Sequence, residues 1–146
     1  MKTREFLIVM VSIVCWSCQS ELEGETDDSI IGKWKLITVE YPFVGEKDDY
    51  SKYDIVYEFQ SNNILKVSAA TEQSNIELYR GLPYGEHIYS IKLNDDGSPY
   101  LILDKIMIDG DLLESNMMVA CTISNKTLVL STVWLDGFFQ TLTKIK

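Results

Sequence analysis

The sequence predicts an all-β domain: an up-and-down antiparallel β-barrel of eight or nine strands, with at most one short helix. Three observations carry that expectation. From Ile30 onward, short runs rich in Ile, Val, Leu, Tyr and Phe recur between Gly, Asn, Asp and Pro turn signals. Few windows place apolar residues at a helical period. The runs follow one another through short connections, the meander order that lets a sheet close on itself and lose its open edges.

The first strand covers residues 32–40 and stops before Pro42. Trp34, Leu36 and Thr38 alternate there with Lys33, Lys35 and Ile37, so one face is expected to be buried. Residues 47–54 (KDDYSKYD) are charged and free of Gly and Pro, and are the one stretch where a short helix is expected. A strand over 55–60 sets Ile55, Tyr57 and Phe59 on one face. Ser61-Asn62-Asn63 is a hairpin turn, because Asn tolerates positive φ, and residues 64–70 return from it. Residues 71–86 carry two glycines and a proline and read mainly as a loop, with one short strand near 76–79. Loops of that length in a compact domain often carry function, which makes this one a candidate lid.

Residues 87–93 form the next strand, and Asn94 to Pro99 make the strongest turn in the chain. A strand over 100–108 follows, with an interruption expected near Asp104-Lys105 and a reversal at Asp109-Gly110-Asp111. Two hairpins end the chain: 117–123 with 127–134 across Ser124-Asn125-Lys126, then 138–145 after Leu135-Asp136-Gly137.

Ahead of the barrel stands a targeting signal. Lys2 and Arg4 precede an apolar run from Phe6 to Trp16, which is too short to cross a bilayer as a helix, where ~20 residues are needed. The pair Ser17-Cys18 resembles the lipobox of bacterial lipoproteins, in which a small residue precedes the cysteine that becomes the lipidated first residue. Cys15 stands where that family usually has Leu, and Trp16 is bulkier than the usual occupant. Ordinary signal-peptidase cleavage beside Cys15 and Ser17 is the alternative. The resemblance implies a signal over 1–17, a lipid on Cys18, and a place at the bacterial outer membrane. The polar segment 18–29 resembles the acidic tether that sends some Gram-negative lipoproteins to the cell surface, and reads equally as a solvated linker.

The 146 residues include 13 Lys plus Arg, 22 Asp plus Glu, one His and three Cys, for a net charge of −9. Residues 1–17 hold Lys2, Arg4 and Glu5, so their removal leaves 11 basic and 21 acidic side chains, a net charge of −10. That balance, with no Lys/Arg cluster, argues against a nucleic-acid partner. With Cys18 lipidated, Cys121 is the remaining thiol and the mature monomer has no internal disulfide. About 115 residues suffice for a core without one.

Gly32-x-Trp34, at the start of the first strand and just behind an export signal, resembles the lipocalin-like domain of bacterial lipoproteins over residues 30–146. In lipocalins this Gly-x-Trp lies at the closed end of an eight-stranded barrel, where the indole plugs the base. Tyr57 to Asn63 and the closing strand also resemble the bacterial members. The disulfide of secreted animal lipocalins is missing, as is the Arg that packs on the base Trp, leaving Lys144 or Lys146 for its place.

In such a barrel Trp34, Leu36, Tyr57, Phe59, Tyr89, Ile91, Val119, Trp134 and Phe139 form the inward set. They either line an apolar pocket or fill a solid core, since barrels of this size do both. No catalytic residue is expected: His87 has no motif-placed nucleophile or carboxylate near it. No metal site or cofactor is expected either, because the Asp-Gly pairs at 96–97 and 109–110 are turn formers and match no calcium loop. The expectation is a monomeric, non-enzymatic lipoprotein that binds a small apolar or amphipathic molecule. A surface module recognising a protein or glycan through its loops is the alternative.

Overall fold

The computed structural model describes residues 29–70, 81–108, 111–132 and 137–146. Nine strands are present among them: β1 (Gly32–Tyr41), β2 (Glu46–Asp49), β3 (Ile55–Phe59), β4 (Ile64–Ala69), β5 (Gly85–Leu93), β6 (Pro99–Ile108), β7 (Asp111–Ser124), β8 (Thr127–Thr132) and β9 (Phe139–Ile145). Every pairing is antiparallel, and β1 pairs with β9 to close the sheet. The result is an eight-stranded barrel of β1 and β3 to β9, with β2 as an additional strand. One edge of β1 runs along β9 from Lys33 to Glu40. The other is shared, with Gly32 to Lys35 on β3 and Thr38 to Tyr41 on β2.

The expected helix over 47–54 is not formed. Asp49 accepts a hydrogen bond from the Ser51 amide at 2.8 Å, a local turn that competes with helix, and Tyr50 donates its amide to the Ile37 carbonyl at 2.7 Å. Tyr50 is buried, so tertiary packing outweighs the weak helical preference of the charged stretch. Lys47 reaches Glu40 on β1, but this pair is exposed and worth at most about 1 kcal/mol.

Two bulges shape the core. β1 shifts register between Leu36 and Thr38, so the inward face runs Trp34, Leu36, Val39 in place of the expected Thr38. β6 shifts between Leu103 and Lys105, where the sequence suggested an interruption; the strand continues, and the inward face runs Leu101, Leu103, Ile106. The turns match their residues. Asn63 has φ 64°, and the β7–β8 hairpin turns on Asn125 and Lys126 at φ 46° and 66°. β7 begins six residues earlier than expected, at Asp111, because that part pairs with β6 while staying exposed and so lacks a burial pattern to read.

The strand directions define two ends. The base carries Ser29 to Gly32, the 60–63, 94–98 and 125–126 turns, and the chain's last residues. At the far end lie the β1–β2 turn, the Gly81 to Tyr84 approach to β5, and the start of β7.

Candidate functional site

The base is built around Trp34. Its indole is fully buried and donates from Nε1 to the Ile30 carbonyl at 2.7 Å. The Lys144 ammonium stands 5.2 Å from the ring centroid and donates to the Ser29 carbonyl at 3.1 Å. Lys144 thus takes the position over the base tryptophan that the sequence left between Lys144 and Lys146. Gly32 is required here: its φ of +126° strains any side chain, and a Cβ would lie 3.4 Å from the Lys144 side chain. The next layer is aliphatic, with Leu36 opposite Leu142 and Leu142 opposite Leu128, all fully buried.

The interior above it is aromatic on one side. Tyr57 on β3 stands opposite Trp34, and Phe59 meets Tyr89 edge-on with ring centroids 5.4 Å apart. The Tyr89 hydroxyl donates to the Gln60 carbonyl at 2.9 Å, and burial raises its pKa. The Tyr57 hydroxyl accepts the Leu82 amide at 2.9 Å, which draws the end of the predicted loop onto the barrel. Leu82 is buried there; residues 71–80, including the expected short strand, lie outside the described residues. Beside it Tyr84 has its pKa pushed up to about 12, by burial first and then by its neighbour Tyr50.

Of the nine residues expected to face inward, Trp34, Leu36, Tyr57, Phe59, Tyr89 and Val119 do so and are buried. Trp134 lies outside the described residues. Two are corrected. Ile91 is 43% exposed because β4 pairs with β5 only as far as Ile88, so the end of β5 overhangs its neighbour. Phe139 is also 43% exposed, because the register of Leu142 with Leu36 and Leu128 gives β9 the opposite phase. That phase turns Gln140 inward.

Two buried polar side chains were missed as site residues, His87 and Gln140, each fully excluded from solvent. The signal for His87 was its parity with Tyr89 on β5. His87 Nε2 lies 2.7 Å from the Pro83 carbonyl and, as the neutral tautomer, donates to it. Burial lowers the pKa of His87, with the Pro83 bond opposing in part. The folded state therefore favours neutral imidazole, whereas the unfolded chain takes up a proton below about pH 6.5. Stability is expected to be full above that pH and to decline as pH falls toward the depressed folded value. His87 is the single histidine, so the urea midpoint should drop between pH 7.5 and 5.5 in the natural protein and stay level in His87→Phe. Equal drops in both would remove His87 as the cause.

The turn carboxylates serve the backbone. Asp96 accepts the Ser98 amide at 2.9 Å and its pKa is lowered by that bond. An open, mainly polar depression lies outside the barrel at this turn, lined by Leu93, Asn94, Asp95, Asp96 and Tyr100. Cys121 is buried, with its Sγ 3.5 Å from the Pro99 carbonyl, and burial raises its pKa, so the thiol stays protonated.

A closed antiparallel barrel with an aromatic interior, a tryptophan-plugged base and a flanking cation over the indole is consistent with a lipocalin-like barrel. In comparisons with known proteins, no family model, no curated protein and no solved structure matches this chain.

Proposed function

We propose that this protein is a non-enzymatic, lipid-anchored lipocalin-like lipoprotein of the bacterial outer membrane that binds a small apolar or amphipathic molecule inside its barrel. The observation that carries the reading is the inward face itself: Trp34, Tyr57, Phe59 and Tyr89 are buried on one continuous, closed sheet. These rings are already closed off from solvent, so a molecule bound among them gains affinity from its own apolar surface leaving water, at roughly 25 cal/mol per Å². Ser29 and Ile30 lie at the base, so the chain joins the barrel at the Trp34 end. With the lipid on Cys18, the barrel is tethered to the membrane through its Trp34 end, at the periplasmic or the extracellular face.

A surface interaction module is the second reading, favoured by Phe43 and Val44 at the β1–β2 turn, which are 75% and 68% exposed. Native mass spectrometry of the protein purified from its own cells separates the two. The expected result is a mass increment of a few hundred daltons that organic solvent removes, an order of magnitude set by pockets that enclose one small molecule. Protein that arrives only at its bare mass, and takes up no apolar fluorophore, would leave the surface module as the function.

A further inference from the structure

The inward face of β9 carries a side-chain amide where the pattern of the barrel calls for an aliphatic residue. Gln140 stands opposite Val39 on β1 and Leu130 on β8, and Leu130 stands opposite Cys121 on β7. All four are buried, and Gln140 is 0% exposed. Neither Oε1 nor Nε2 of Gln140 has a hydrogen-bond partner among the described residues. A buried amide left in this state costs free energy that any aliphatic residue of the same size avoids. A group from outside the fold would satisfy this amide at its inward position on β9.

Trp34 pairs with Lys144, four residues from Gln140 on β9, so at ~3.3 Å per residue the amide sits roughly 13 Å above the base, toward the far end. The amide is closed off from solvent, so a molecule entering from that end reaches it by displacing side chains packed around it, Val39 and Leu130 among them. Both unpartnered atoms belong to one amide, an acceptor beside a donor, and the matching group is a donor beside an acceptor. Charge is disfavoured in that group, since the buried polar residues are His87 and Gln140 alone among the described residues and neither supplies a positive charge. An ionised carboxylate here would lose its water without gaining a counter-ion.

We propose that Gln140 is the polar recognition group of the barrel interior, and that the ligand is a hydrocarbon body ending in a primary amide or a protonated carboxylic acid held by two parallel hydrogen bonds. This rests on the reading that the interior takes an apolar ligand, and the test keeps the two apart. The full chain is titrated with diphenylhexatriene, a hydrocarbon fluorophore that reports on the interior alone. Decanamide and methyl decanoate then compete for it, the second having no donor. The natural protein is expected to prefer decanamide by about tenfold or more, because a site with buried hydrogen-bonding groups rejects an analogue that leaves them unpaired.

Gln140→Leu, and Gln140→Met as a second variant, should abolish that preference. Each should keep the affinity for diphenylhexatriene and methyl decanoate within about twofold, since the apolar wall is untouched. Without ligand, both variants should also unfold at higher urea than the natural protein. If diphenylhexatriene does not bind the natural protein, the interior-ligand reading fails and this inference with it. If it binds but the amide preference is missing or survives in both variants, the role of Gln140 alone is overturned. A lower urea midpoint in both variants would also overturn it, by showing that the fold itself satisfies the amide.

Discussion

Replacing Trp34 with alanine is expected to destabilise the barrel by roughly 3–5 kcal/mol, the range for truncating a buried large aromatic. The indole is fully buried at the closed base, so its removal leaves a cavity that the strands around it cannot fill without breaking their register. Its Nε1 bond to Ile30 is lost as well, leaving the Lys144 bond to Ser29 to hold the start of the domain on the barrel. Against a total stability on the order of 5–15 kcal/mol, that is about a fifth or more of the whole. The urea midpoint of Trp34→Ala should fall sharply at unchanged slope, and Trp34→Phe should recover a good part of the loss. A change under about 1 kcal/mol in the alanine variant would show that the base is held by something other than this side chain.

The second large effect lies at the other end of the signal. On the proposed lipid anchorage, Cys18→Ala should move the protein from the membrane fraction to the soluble fraction, while Cys15→Ala leaves it on the membrane. Stable anchoring by acyl chains needs more than one chain or a second attractive signal. A net charge of −10 on residues 18–146 offers no attraction to anionic lipid, so nothing else is expected to hold the protein there. Fractionation of cells expressing each variant, followed by immunoblotting, reads the result. Membrane retention of the Cys18 variant would refute the lipoprotein reading and leave the barrel without its assigned location.

Much of the barrel could be read because alternation is a local signal. In β3, Ile55, Tyr57 and Phe59 recur at every second position while Val56 and Glu58 between them are smaller or charged, so only one phase buries the large residues. The turns were legible for the same reason: Asn63 and Asn125 are residue types that accept a left-handed backbone without help from the rest of the fold. The Gly32-x-Trp34 pair was legible as a base motif, and the structure supplies Lys144 as the cation over its ring.

What could not be read locally was phase and register wherever two choices compete. In β9 one phase offers Phe139, Thr141, Thr143 and Ile145, and the other Phe138, Gln140, Leu142 and Lys144. The first has the cleaner pattern, yet the second is the one that packs. Leu142 must meet Leu36 and Leu128, and one such contact commits every residue of the strand. The bulges at Ile37 and Asp104 are decided in the same way: each adds a residue only in relation to the partner strands. Tyr50 illustrates the remaining case, where burial and a bond to Ile37 turn a charged, helix-compatible stretch into a strand and a turn.

The sequence by itself therefore determined the class of fold, the order of its hairpins, the base tryptophan and six of the inward residues, because each depends on spacing and residue type within one segment. The two bulges, the inward turn of Gln140, the outward turn of Phe139 and the overhang that exposes Ile91 followed from the tertiary pairing alone. Each of these depends on which residue of a distant strand lies opposite, and the free energy of burying one face of a closed barrel selects a single answer for all eight strands together.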